Sequence, residues 1–323
     1  MKPLTLLTSV SLALAALTGA AIAQESDYPN DLVRVVVGSS PGGTADTVSR
    51  IVADALSDKF GETFVVENLP GAGGALAASE VRSAEPDGYT IQFIFSSFSI
   101  LPSLNPDVNY DPVKDFEAIT MVSYAPNLLL VNPSFGVKTF PEWVDKIKAN
   151  PGKYDYGSGG IGYSQHLSME MLLQDIGGDV VHIPYAGSGN LLGALISGEI
   201  PFAFDTLTTA VPHIESGALI PLAITSSERS EILPDVPAVG EFVEGYELTA
   251  WNGFVAPAGT PREIVDELNA AIVEYLETDA AKAFFGKLGT AIAASTPEEF
   301  EQVIAGDYEK FAVVIKEAGI TAQ

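Results

Sequence analysis

The 323-residue chain carries 16 Lys and Arg against 42 Asp and Glu, a formal net charge of −26, with 47% hydrophobic residues and no cysteine. Disulfides, cysteine nucleophiles, thiolate metal sites and iron–sulfur clusters are therefore excluded, and so acidic a chain repels phosphate backbones and anionic lipid surfaces. The length suits about two domains at roughly 100–200 residues each, and three classes remain open: a transport-linked binding protein, a hydrolase and a nucleotide-dependent enzyme.

Met1 and Lys2 make a short positive start, an apolar stretch runs to Leu17, and Ala21-Ile22-Ala23 has the small-x-small shape of a signal-peptidase site. An exported protein cleaved after Ala23 is expected rather than a membrane anchor, because Thr8, Ser9, Ser11 and Thr18 interrupt the run. No later stretch reaches the roughly 18 apolar residues that a spanning helix needs. Cleavage leaves 15 basic against 42 acidic residues, a net charge of −27. A saline habitat is one explanation for that excess.

The mature chain opens with a β-branched strand, Val33–Val37, a Gly/Pro-rich turn, and from Thr44 a helix with Val48, Ile51, Val52, Ala55 and Leu56 on one face. Strand Phe64–Glu67, the Gly-rich turn Gly71–Gly74, a helix to about Ala84 and strand Tyr89–Phe95 repeat the alternation. Such alternation predicts an α/β fold with mainly parallel strands. It restarts near Pro126 with strand Leu128–Val131, helix Phe140–Ala149 and strand Tyr154–Tyr156, which marks a crossover into a second lobe. A helix near Gln165–Asp175, strand Val180–Ile183, helix Asn190–Ser197 and strands Ile200–Phe204 and Leu219–Thr225 follow. After Thr225 the composition turns to loop, and a second crossing is expected before strand Ala250–Ala256. Three helices end the chain, near Pro261–Glu277, Ala280–Leu288 and Pro297–Ala318, and are expected to pack back on the first lobe. Two lobes joined by two crossings leave a cleft where strand ends and helix starts converge.

Gly38-Ser39-Ser40-Pro41-Gly42 satisfies the G-x-S-x-G pattern of a hydrolase nucleophile elbow. In that elbow the residue after the serine donates its backbone N–H to the oxyanion hole, and Pro41 has none. The same segment reads either as a structural turn into the helix or as an anion site, where N–H groups of Gly42, Gly43 and Thr44 meet the positive end of the helix dipole. Gly157-Ser158-Gly159-Gly160-Ile161-Gly162 satisfies G-x-G-x-x-G, but the next strand ends in Pro184-Tyr185 where a dinucleotide site needs an acidic residue. What remains is a Gly loop offering amides and the hydroxyls of Ser158 and Ser164 to a smaller anion.

His166, His182 and His213 are too separated for a zinc helix, and His166, just after the second Gly loop, is the one placed to line a site. Asp107-Val108-Asn109-Tyr110-Asp111 starts like a calcium loop but has Pro112 for the required Gly and Ala118 for the terminal Glu. Asp205 follows a strand at a place that should face the cleft. Trp251 and Tyr185 fit a core role more readily than a ligand platform.

Taken in order, several segments resemble the extracytoplasmic receptors of tripartite tricarboxylate transporters, the Bug-type receptors. They are Pro41-Gly42-Gly43-Thr44-Ala45-Asp46 with Arg50, Val66-Glu67-Asn68, Pro70-Gly71-Ala72-Gly73-Gly74, Pro86-Asp87-Gly88-Tyr89-Thr90 and Tyr110-Asp111-Pro112 through Phe116. Tyr156-Gly157-Ser158-Gly159, His166-Leu167, Pro184-Tyr185-Ala186-Gly187, Phe204-Asp205, Leu233-Pro234-Asp235-Val236-Pro237 and Ala256-Pro257 through Pro261 continue the match along essentially the whole mature chain.

The resemblance implies a two-lobed, flytrap-like periplasmic binding protein that closes on a small carboxylate and presents it to a membrane permease, without catalysis, cofactor or metal, as a monomer. It implies that the loops at Ser39–Asp46 and Ser158–His166 clasp the ligand from opposite lobes through amides, hydroxyls and water. The residues expected at the ligand are Ser39, Ser40, Gly42, Gly43, Thr44 and Asp46, then Ser158, Gly159, Gly160, Gly162, Ser164 and His166, with Tyr185 and Asp205. The expected lobes are 24–125 plus 226–323, and 126–225. Gly38-Ser39-Ser40 stands where an apolar segment with Phe is common in that family, and Ala186 where Lys is common, which favours a mono- or dicarboxylate over a tricarboxylate. An exported α/β hydrolase and a sensory receptor of the same fold are the rival functions.

Overall fold

The computed structural model describes residues 28–318, so the expected signal peptide, residues 1–23, lies outside the described residues. The first sheet grows from β1 (Val33–Val37), flanked in parallel by β2 (Phe64–Asn68) and β3 (Thr90–Phe95). Alternate residues of β1 serve two cores. Val33, Val35 and Val37 face Val48, Val52, Phe254 and Leu268, while Val36 faces Ile94, Phe98, Trp251 and Phe300. α1 (Thr44–Phe60) and α2 (Ala75–Arg82) cross between these strands, and α8 (Arg262–Leu276), α9 (Asp279–Lys287) and α10 (Pro297–Ala318) complete this half.

The second sheet has β5 (Asp155–Ser158) parallel to β6 (Val181–Pro184) and to β7 (Phe202–Thr206), with α4 (Phe140–Lys148), α5 (Ser164–Ile176), α6 (Ser188–Ser197) and α7 (Leu207–Glu215) around it. The two halves are joined by β4 (Phe116–Val131), whose 16 residues run through both. Its first part pairs antiparallel with β9 (Thr249–Pro257) and its last part with β7 and β8 (Ile220–Ile224). β9 in turn pairs antiparallel with β3, and the short β10 (Ala291–Ile292) lies against β4.

The fold is α/β as expected, and its sheet combines parallel flanks with an antiparallel centre. The flanks β2-β1-β3 and β6-β5-β7 are parallel, as helical crossovers require. The centre is antiparallel because β4 and β9 run between the lobes in opposite directions.

The expected return to the first lobe at residue 226 meets a different packing. Val239 and Tyr246 sit in one core with Trp143 and Phe204, and Val236 and Ala238 in another with Leu128 and Leu191. The chain leaves these cores only at Leu248, which joins Ile100, Leu167 and Phe311. Helices α3 (Ser97–Leu104) and α7 are additions to the expected pattern. In α3, Pro102 has no N–H to give the Phe98 carbonyl, and the Tyr110 hydroxyl donates to it at 2.9 Å. Among the described residues no helix is long and apolar enough to cross a membrane.

Candidate functional site

The carboxyl ends of four of the parallel strands lead into one cleft. β1 passes through Gly38–Gly43 into α1, β5 through Gly159–Tyr163 into α5, β6 through Tyr185–Gly187 into α6, and β7 directly into α7. The cleft narrows to a cavity of about 30 Å³ lined by Ser39, Thr44, Ala45, Phe95, Ser96, Tyr163, Ser164, Gln165, Ser188, Thr206, Ala250 and Asn252. None of these twelve side chains carries a formal charge.

What the lining offers instead is helix starts. Thr44 and Ala45 open α1, Ser164 and Gln165 open α5, Ser188 opens α6, and Thr206 precedes α7. No described side chain caps any of these four N-termini. Elsewhere three helices are capped, where Thr139 accepts from Glu142 N–H on α4, Thr278 from Ala281 N–H on α9 and Thr296 from Glu299 N–H on α10, while α2, the helix Ser97–Leu104 and α8 have no side-chain cap. The first turn of a helix holds N–H groups without intrahelical acceptors, together with roughly half a positive charge from the aligned peptide dipoles. Four such ends around a neutral, enclosed space favour an anion without any basic side chain.

The two halves touch across the cleft. Ser40 N–H donates to the Ala186 carbonyl at 3.2 Å, the Tyr163 hydroxyl donates to the Gly38 carbonyl at 3.1 Å, and the hydroxyls of Thr44 and Thr206 are hydrogen-bonded to each other. Two glycines permit this approach. A Cβ on Gly189 would lie 2.5 Å from the Pro41 carbonyl oxygen, and one on Gly187, whose φ is +105°, would lie 2.7 Å from Ser39 Oγ.

Of the residues expected at the ligand, Ser39, Thr44 and Ser164 line the cleft. The others stand behind it. Asp46 braces the first loop, accepting from Gly42 N–H at 2.9 Å, Arg50 Nε at 2.9 Å and Asn68 Nδ2 at 3.0 Å. Burial alone would raise its pKa, but these donors, Arg50 foremost, hold it below the usual carboxylate value. The Gly42 N–H is thereby engaged inside the loop. Gly43 packs against Ser188, and Ser40 is buried with no hydrogen-bond partner for Oγ among the described residues.

Ser158 is likewise internal: its Oγ lies 2.7 Å from His182 Nε2 and 3.1 Å from the Gly160 N–H it accepts. Gly159 accepts from Gly187 N–H at 2.7 Å, and Gly162 N–H donates to His166 Nδ1 at 3.2 Å. His166 stacks on His182 with ring centroids 4.2 Å apart. Burial, reinforced by the neighbouring ring, lowers the His166 pKa to about 3, and burial lowers that of His182 to about 4, so both imidazoles are neutral at pH 7. Tyr185 turns outward to donate to Glu199 at 2.9 Å.

Asp205 is fully buried one step behind the lining and accepts from Ser188 Oγ, Gln165 Nε2 and Thr209 Oγ1 at 2.6–3.1 Å. Burial raises its pKa against the pull of those donors. Tyr163, Gln165, Ser188 and Thr206 escaped sequence reasoning, although each immediately flanks a helix start, the position from which amides and short side chains reach a cleft. Phe95, Ala250 and Asn252 come from the strands beneath, Ser96 from the turn after β3, and they left no local signal.

A family model described as the tripartite tricarboxylate transporter family receptor matches residues 48–320. Protein BugT of Bordetella pertussis is 31% identical over 99% of both chains. A solved structure described as a periplasmic transporter is 37% identical, with a TM-score of 0.88 over 91% of this chain and 99% of its own. Rpa4515 from R. palustris, solved with adipate, is 31% identical with a TM-score of 0.89 over 91% and 99%. MatC from Rhodopseudomonas palustris, solved with bound malate, is 30% identical with a TM-score of 0.86 over 89% and 100%.

Proposed function

The chain belongs to the tripartite tricarboxylate transporter receptor family, a family of periplasmic Bug-type solute-binding proteins rather than enzymes, and from that premise we propose that it captures a small carboxylate between its lobes and delivers it to the transporter's permease. Four uncapped helix N-termini converging on one uncharged cleft carry this reading. They supply oriented N–H donors to a carboxylate, and the neighbouring hydroxyls of Ser39, Thr44, Ser164 and Ser188 add to them. The relatives solved with adipate and malate make a dicarboxylate the preferred size of ligand.

In this reading export removes residues 1–23, the mature protein acts in the periplasm as a monomer, and the lobes divide where Pro126 of β4 faces Thr249 of β9. The second lobe thus extends beyond residue 225 to about Leu248. Loops 39–46 and 158–166 act from opposite sides, the first directly through Ser39 and Thr44, the second through Ser164 while Ser158 and His166 fix its shape. Mass spectrometry of small molecules released from the purified protein by denaturation tests the reading. A stoichiometric small carboxylic acid supports it. A neutral or cationic ligand refutes it.

A further inference from the structure

Gln165, the second residue of α5, lines the cleft and is 3% exposed. Its side chain holds one orientation. Nε2 donates to Asp205 Oδ1 and to Ser188 Oγ, each at 3.1 Å, and Ser188 Oγ donates in turn to the same Asp205 oxygen at 2.8 Å. Both amide hydrogens and the serine hydrogen are thereby used. Rotating the amide by half a turn would set its carbonyl oxygen against the Asp205 carboxylate, acceptor against acceptor. Oε1 is therefore fixed as an acceptor, and it is buried with no partner among the described residues. Buried carbonyl oxygens without a donor are rare and costly.

Much of the rest of the lining presents helix-start N–H groups and hydroxyls, which suit a carboxylate, whereas Gln165 Oε1 does not. A bare carboxylate arm placed against it would bring oxygen to oxygen, with the buried Asp205 carboxylate behind. We infer that the ligand carries an O–H or N–H donor beside its carboxylate, as 2-hydroxy and 2-amino acids do, and that Gln165 Oε1 accepts from that donor. This specificity rests on the carboxylate-binding reading above. Asp205 and Ser188 are positioning residues: they hold the amide so that only its acceptor is offered.

The test is titration calorimetry on the mature chain with matched acids: succinate, L-malate and L-aspartate, then adipate and 2-hydroxyadipate. A donor-bearing acid is expected to bind at least tenfold more tightly than its unsubstituted partner. Preference for malate identifies the hydroxyl as the recognised donor, and preference for aspartate identifies the ammonium. In Gln165→Met the ratio between donor-bearing and unsubstituted acid is expected to fall below threefold, whereas a merely structural role would weaken both acids alike and leave the ratio standing. If that variant does not fold, the wild-type ratio alone decides. Equal wild-type affinities, as when a water satisfies Oε1, or a ratio retained in Gln165→Met, overturn the inference and leave carboxylate binding standing. Binding by none of the five acids overturns the carboxylate reading itself, and the inference with it.

Discussion

The backbone N–H of Ser40 reaches the carbonyl of Ala186 at 3.2 Å, joining a loop of the first lobe to a loop of the second. The sequence places these residues far apart. The pair holds a closed arrangement that a carboxylate bound to helix starts from both lobes would also favour, and ligand then shifts the balance of open and closed forms.

Gly189→Ala is expected to weaken this closure, because the added Cβ lies 2.5 Å from the Pro41 carbonyl oxygen of the opposite lobe. Each lobe's own core is untouched. Ligand affinity should fall roughly tenfold, about 1.4 kcal/mol, with little change in the melting temperature of the ligand-free protein. Small-angle scattering should show less compaction on saturation than in the wild type. Wild-type compaction in the variant would show that this contact does not govern closure.

Removing the brace at Asp46 should disorder the first loop. Asp46→Ala frees the Gly42 N–H and leaves Arg50 and Asn68 without their shared acceptor, a loss of about 1–3 kcal/mol in stability. The pKa of Asp46 is depressed in the fold, so its contribution is present above the unfolded carboxylate value and lost as pH falls through the folded one. Chemical denaturation of wild type and variant at pH 7 and pH 3 checks both parts: the difference should shrink at pH 3.

The stacked imidazoles of His166 and His182 should titrate far below free histidine, with midpoints near 3 and 4 in ¹³C-detected NMR. Between pH 6.5 and those midpoints the unfolded chain binds more protons than the folded one, so this pair makes stability fall as pH drops. Asp205, Asp175 and Asp307, whose pKa values are raised, act in the opposite sense. Ring titration near pH 6.5 would mean that the pair is hydrated and does not hold the second loop as described.

Salt should do little harm to binding. A chain of formal net charge −26 repels an anion at long range, whereas the attracting dipoles lie at short range inside the cleft. Stopped-flow association of a dicarboxylate should hold steady or quicken as ionic strength rises from low to moderate. A steep loss would point to a site built on surface Lys or Arg.

The alternating pattern of strands and helices was legible because β1, β2, β3 and the helices between them have short periods that local sequence reveals. The 16-residue β4 was not. Its first part pairs with β9 and its last part with β7 and β8, so only Leu128–Val131, buried on both faces, stood out as a strand. α3 was obscured by Pro102, whose cost is offset by the distant Tyr110 hydroxyl. At the site, the Gly loops announced the helix starts but not which groups face the cleft. Asp46, Ser158 and His166 have polar side chains suited to a ligand, yet their hydrogen bonds are spent inside the loops. Gln165 and Ser188 become informative only through Asp205, a partner that folding brings to them.

The most direct test is amide ¹H–¹⁵N NMR during titration with L-malate. Helix-start amides that take up a carboxylate should shift downfield together and saturate at one equivalent: Thr44 and Ala45 of α1, Ser164 and Gln165 of α5, and Ser188 of α6. Saturable binding that leaves these amides unmoved, with shifts confined to other surfaces, would contradict the account.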